Sequence, residues 1–120
     1  MPAKRWFAAI LIVFGVLALP RLALAHAMLV SSTPAAHATV NGPDVAIELR
    51  FNSRVDGTHS SLGIEVEGGS GQAAIVRDTQ RAATTLNAHA SLKPGNYVIR
   101  WQALSTDGHI TRGEIPFSVQ

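Results

Sequence analysis

Val45, Ile47, Leu49 and Phe51 alternate with Ala46, Glu48 and Arg50, and this period of two constrains the fold more than any other feature of the 120-residue sequence. Successive side chains of a strand point to opposite faces, so the alternation describes a strand with one apolar and one wet face. The pattern recurs. Leu62, Ile64 and Val66 alternate with Gly63, Glu65 and Glu67. Tyr97, Ile99 and Trp101 share one face of their segment, with Arg100 and Gln102 on the other, and Ile115, Phe117 and Val119 close the chain in the same manner. Weaker strand candidates are 27–31, 73–77 and 84–87, and no convincing helical period follows residue 25. Turn residues separate these runs: Asn41-Gly42-Pro43, Gly68-Gly69-Ser70-Gly71, and Lys93-Pro94-Gly95-Asn96, which predicts a type II turn. Roughly seven short strands in so small a chain predict an all-β fold, an antiparallel seven-stranded sandwich of immunoglobulin-like size. The sequence has no cysteine, so the sheets are joined by packing alone and thiolate chemistry is excluded.

The first 25 residues do not belong to that pattern. Lys4 and Arg5 precede an apolar run over 6–19, Pro20 ends the run, and Ala23-Leu24-Ala25 has the small-x-small form of a cleavage site. The run is short against the ~20 apolar residues of a spanning helix. We therefore expect a signal peptide over 1–25, cleavage after Ala25, and a single exported domain over 26–120. Removing Lys4, Arg5 and Arg21 leaves seven basic residues against eight acidic ones, so the formal +2 of the whole chain becomes −1. A mature domain of that charge has no basic patch for phosphate, and nucleic acid is not an expected partner.

Five histidines remain: His26, His37, His59, His89 and His109. His37, His59 and His89 lie in polar, turn-like surroundings without a carboxylate at short spacing and are read as exposed residues without a ligand role. His109 ends Ser105-Thr106-Asp107-Gly108-His109, where Asp107 and His109 stand two apart and Gly108 lets the backbone bend. Taken alone, that stretch is an ordinary Asp-Gly turn leading into the last strand. Cleavage after Ala25 changes its meaning, because His26 then offers an α-amine and an imidazole on one residue. The amine has an ordinary pKa of about 7.7–8.0, so it yields its proton to a metal cheaply. With His109 and Asp107 the set becomes three nitrogens and a carboxylate oxygen, which suits Cu(II) first and Ni(II) next, with tetrahedral zinc less natural.

The stretches His-Ala-Met-Leu-Val-Ser-Ser-Thr-Pro at 26–34 and Trp-Gln-Ala-Leu-Ser-Thr-Asp-Gly-His-Ile-Thr-Arg-Gly-Glu-Ile-Pro-Phe-Ser-Val at 101–119 resemble the CopC family of exported copper-resistance proteins, as does Leu-Lys-Pro-Gly-Asn-Tyr at 92–97. The resemblance implies a small Greek-key β-sandwich or barrel that binds one Cu(II) through His26, Asp107 and His109. It also implies a periplasmic carrier or buffer in copper homeostasis and resistance, not an enzyme, with an inner-membrane copper-handling partner, and we expect a monomer. Some members bind Cu(I) through a methionine-rich stretch; here Met28 is the lone methionine after residue 25. The family often has Phe-Ser-Glu-Pro-Val where this chain has Phe51-Asn52-Ser53-Arg54-Val55, so the glutamate is missing. Trp101 and Phe117 are read as core residues.

Two other functions compete. The paired histidines also resemble the copper brace of lytic polysaccharide monooxygenases, although 95 residues leave little room for a polysaccharide platform and Asp107 would occupy a position that oxygen needs. The other is a metal-free immunoglobulin-like interaction module. Gly68-Gly69-Ser70-Gly71 precedes no helix or lysine and is no phosphate loop.

Overall fold

The computed structural model describes residues 26–69, 71–79 and 82–120, and the signal-peptide reading of 1–25 lies outside them. All regular structure among the described residues is β. Nine strands follow in order: β1 Leu29–Thr33, β2 Thr39–Val40, β3 Asp44–Val55, β4 Ser61–Val66, β5 Gln72–Ala73, β6 Ile75–Asp78, β7 Ala83–Ser91, β8 Gly95–Leu104 and β9 Ile110–Val119. They form two sheets, one ordered β1-β3-β7-β6 and the other β2-β9-β8-β4-β5. The seven expected strands are β1, β3, β4, β6, β7, β8 and β9. Two two-residue strands, β2 and β5, are additional; β2 lies parallel to β9, through Thr39 opposite Ser118 and Val40 opposite Val119.

The period of two decides which residues face inward. Val45, Ile47, Leu49 and Phe51 of β3 are buried, and so are Leu86, Ala88 and Ala90 of the neighbouring β7. Leu62, Ile64, Tyr97, Ile99, Trp101, Ile115, Phe117 and Val119 supply the facing layer. Burial of each such large side chain stabilises the fold by about 1.5–3 kcal/mol. Phe51 meets Trp101 edge to face across the two sheets, with ring centroids 5.4 Å apart, and Tyr97 stacks on Phe117 within one sheet at 5.7 Å. Val66 departs from the expected pattern: it is 41% exposed where β4 runs out into the hairpin tip.

The expected type II turn at Lys93–Asn96 does not form. Gly95 has φ 159°, close to extended and far from the roughly +80° of that turn type. The chain bends at Pro94 instead, and Tyr97 Oη donates to Lys93 O at 2.6 Å across the bend.

Candidate metal centre

The end of β3 touches both sheets. Its register with β1 shifts between Leu29 and Ser31, and its register with β7 shifts between Arg50 and Val55. Such bulges bend a strand and turn it out of its ladder. Val55, the last residue of β3, still pairs with Ala83 of β7 but also bridges Ser105 just past β8 in the other sheet, and Asp56 N donates to Leu104 O at 2.8 Å. The bridge closes one end of the sandwich. It sets the β3–β4 loop beside the β8–β9 loop, with the segment preceding β1 at the same end.

The β8–β9 loop is built around Ser105, a buried serine with 3% exposure. Gly108 N donates to Ser105 O at 2.9 Å to close the turn, and Ser105 N donates to His109 O at 2.8 Å. Gly108 takes φ +94°, which glycine adopts without strain. Ser105 Oγ accepts the His109 N–H at 3.1 Å and donates to Asp107 Oδ1. The same oxygen of Asp107 lies 3.2 Å from His109 Nδ1 and 3.3 Å from its backbone N–H. The Ser105 hydroxyl, helped by His109, holds the Asp107 carboxyl below the ordinary carboxylate value. The plain Asp-Gly turn expected from the sequence therefore describes the backbone, while the side chains add a carboxylate–imidazole pair.

The segment before β1 is seated from both sheets. Thr111 Oγ1 of β9 donates to Ala27 O at 2.8 Å, and Ala27 itself is buried. Asn52 of β3 accepts the Met28 N–H on its Oδ1 at 2.8 Å and returns its own N–H to Met28 O at 3.0 Å. His26, next in line, lies against His109 with ring centroids 4.6 Å apart and planes 71° to each other. Two imidazoles sharing one ion through bonds of ~2.0 Å keep their centroids within about 6 Å, and this pair meets that limit.

The fold thus brings together His26, Asp107 and His109. All three are exposed, so an ion reaches them from solvent without a channel. The donors are nitrogen and oxygen, the set that Cu(II) and Ni(II) favour. Among the described residues no group of three or more His, Asp or Glu side chains closes on one point as a finished metal cage.

Sequence reasoning missed Ser105, Asn52 and Thr111. Ser105 was legible as part of the loop motif, but Asn52 and Thr111 act on backbone groups 24 and 84 residues away and left no local signal. His37, His59 and His89 are exposed, as expected. The expectation that none of them has a nearby carboxylate is corrected at His59. Its Nδ1 lies 2.9 Å from Asp56 Oδ2, because the β3–β4 loop folds back on itself over three residues. Thr58 and His59 together hold the Asp56 carboxyl well below the usual range. His37 sits at φ 65° and donates its N–H to Pro116 O at 2.7 Å, so its place is a left-handed turn docked on β9.

The model of the CopC domain matches residues 29–120. The chain is 34% identical over 101 residues to Protein YobA of Escherichia coli (strain K12), covering 80% of each. It is 30% identical over 125 residues to the copper transport protein CutJ of Bacillus subtilis (strain 168), where it covers 99% of this chain and spans 22% of CutJ. The crystal structure of CopC from Methylosinus trichosporium OB3b superposes with a TM-score of 0.70 at 30% identity, over 79% of this chain and 94% of that one. PcoC, a methionine-rich copper resistance protein from Escherichia coli, superposes with a TM-score of 0.69 at 25% identity, over 80% and 100%. With the family model spanning nearly everything from β1 to the last residue, and two sheets closed at one end over His26 and His109, the chain belongs to the CopC family.

Proposed function

We propose that this protein is an exported copper carrier or buffer. Cleavage after Ala25 releases a periplasmic domain of residues 26–120. It binds one Cu(II) through the amine and imidazole of His26, the imidazole of His109 and the carboxylate of Asp107. Binding and delivery, rather than catalysis, is the activity we assign, in keeping with relatives whose names speak of copper transport and copper resistance.

One observation carries the reading. The ring of His26 rests on the ring of His109, although no strand ladder forces the first residue of the seated segment to lie there. Two imidazoles and a carboxylate fall short of a full equatorial set around Cu(II). A free amine at position 26 supplies the missing nitrogen and closes a chelate ring with the imidazole beside it, whereas a peptide nitrogen at that position is a poor donor. Asp107, held anionic by Ser105, offsets part of the ion's charge. The exposed setting suits cargo that must be handed on.

The experiment is a Cu(II) titration with electron paramagnetic resonance on protein beginning at His26 and on the same protein with one alanine added before it. We expect one-to-one binding with a nitrogen-rich tetragonal spectrum, weakened at least tenfold by the added alanine. Equal binding by both proteins would overturn the amine's role and put the copper elsewhere or make it incidental, and no binding by either would favour a metal-free interaction module.

A further inference from the structure

We propose that Asn52 and Thr111 are positioning residues for the N-terminal copper ligand. They fix the backbone of residues 27 and 28 from opposite sheets, so that the nitrogen of residue 26 stands beside His109 before the metal arrives. The inference rests on the reading of His26 as a ligand through its amine.

An ordinary antiparallel pair exchanges two backbone hydrogen bonds. Opposite Met28 one of the two has been replaced: Asn52 N donates to Met28 O at 3.0 Å, but the Met28 N–H is taken by the side-chain oxygen of Asn52 at 2.8 Å. One residue further out there is no strand partner, and Thr111 of the other sheet takes over by donating to Ala27 O at 2.8 Å. The seat therefore consists of side-chain groups where the ladder gives out. Neither residue is in the buried core; Asn52 is exposed and Thr111 half-buried. Chain ends fray unless tied down. A copper ligand at such an end must be ordered by the metal if the protein does not order it first, and the affinity falls by the cost of that ordering. Fixing one residue's backbone corresponds to about a tenfold change in a binding constant.

The test uses protein beginning at His26, with N52A, T111V and the double variant. T111S is the conservative control, because it keeps the hydroxyl. Four readouts are taken: Cu(II) affinity by competition, the paramagnetic resonance spectrum, the thermal midpoint of the metal-free protein, and hydrogen exchange of the Met28 amide. We expect each single variant to weaken copper about tenfold and the double variant about a hundredfold. The metal-free midpoint should stay within a few degrees, as for other surface substitutions. Met28 exchange should accelerate in N52A, and T111S should bind as the parent does. Copper affinity unchanged in the double variant would overturn the proposal, as would a loss that merely follows an equal fall in the midpoint. The alanine-extended protein separates the two readings. If its affinity equals the parent's, the amine reading has failed and the positioning role falls with it. If its affinity drops while the double variant's does not, the amine reading stands and only the positioning role is lost.

Discussion

Ser105 and Gly108 show how single residues shape the candidate centre. The Ser105 hydroxyl is buried and serves two masters, accepting from His109 N and donating to Asp107 Oδ1. A carboxyl whose folded value is depressed stabilises the fold fully above its unfolded value of about 3.9, and loses that contribution as pH falls through the lower folded value. The β8–β9 loop should therefore loosen as pH falls below the ordinary carboxylate range. In S105A the largest cause of the depression is gone, so the Asp107 side-chain carbon should titrate closer to 3.9 in metal-free protein, as followed by carbon-detected NMR. An unchanged titration would mean that His109 alone sets it. Gly108 invites a different substitution. At φ +94° with no heavy atom within 4 Å of a built Cβ, G108A has space but the wrong backbone. The strain should cost about 1–3 kcal/mol in urea unfolding and leave the near-ultraviolet circular dichroism unchanged.

Gly113, on β9, is the opposite case, and its effect belongs to the strands. It pairs with Trp101 of β8, whose indole lies over it so closely that a Cβ would stand 2.7–2.8 Å from three indole atoms. In G113A the indole must move, and with it the contact to Phe51 that joins the two sheets. We expect a loss of about 1–3 kcal/mol, the usual cost of overpacking. Trp101 is the sole tryptophan after residue 25, so its fluorescence should shift in G113A and not in G108A. β3, β4, β8 and the second half of β9 were legible because each repeats an apolar residue at every second position, whereas β7, with only Leu86 and two alanines facing inward, showed weakly over 84–87. β2 and β5 were not legible, since two residues carry no period, and β2 owes its existence to β9. The candidate ligand side chains left signals at the same level: an Asp-x-His in a turn and a histidine behind a cleavage pattern are local. The bridge at the end of β3 was invisible. It depends on register shifts with β1 and β7, and only the bridge from Val55 to Ser105 sets the β3–β4 loop, with its Asp56–His59 pair, beside the β8–β9 loop. Arg77 of β6 helps to hold the loop there, donating to Ser60 O and Gly57 O at 3.0 Å each.

At the scale of the whole molecule, the site and the fold share one free energy. His26 lies just before β1, next to the Asn52 seat on β3, whereas His109 lies in the β8–β9 loop beside Thr111 of the other sheet. An ion bound between His26 and His109 therefore ties the two sheets together at the end where Val55 bridges Ser105. With no disulfide to do so, that tie should register in global stability. Binding to the folded state alone adds about 2.7 kcal/mol when free ligand is a hundred times the dissociation constant. For a domain of 60–100 residues each kcal/mol is worth roughly 4–8 °C in the midpoint. The unfolded chain keeps the same amine and imidazoles and also binds copper, so the rise must fall short of the product of those figures. We expect an increase of several degrees, about 5–10 °C, for protein beginning at His26. H109A and the alanine-extended protein should each show much less, because each breaks the tie from one side while leaving the core intact. The comparison is a calorimetric scan of all three proteins with and without Cu(II) at matched free-metal concentration. A rise of equal size in all three would place the bound copper away from the closed end of the sandwich, and the link between export, cleavage and binding would be lost.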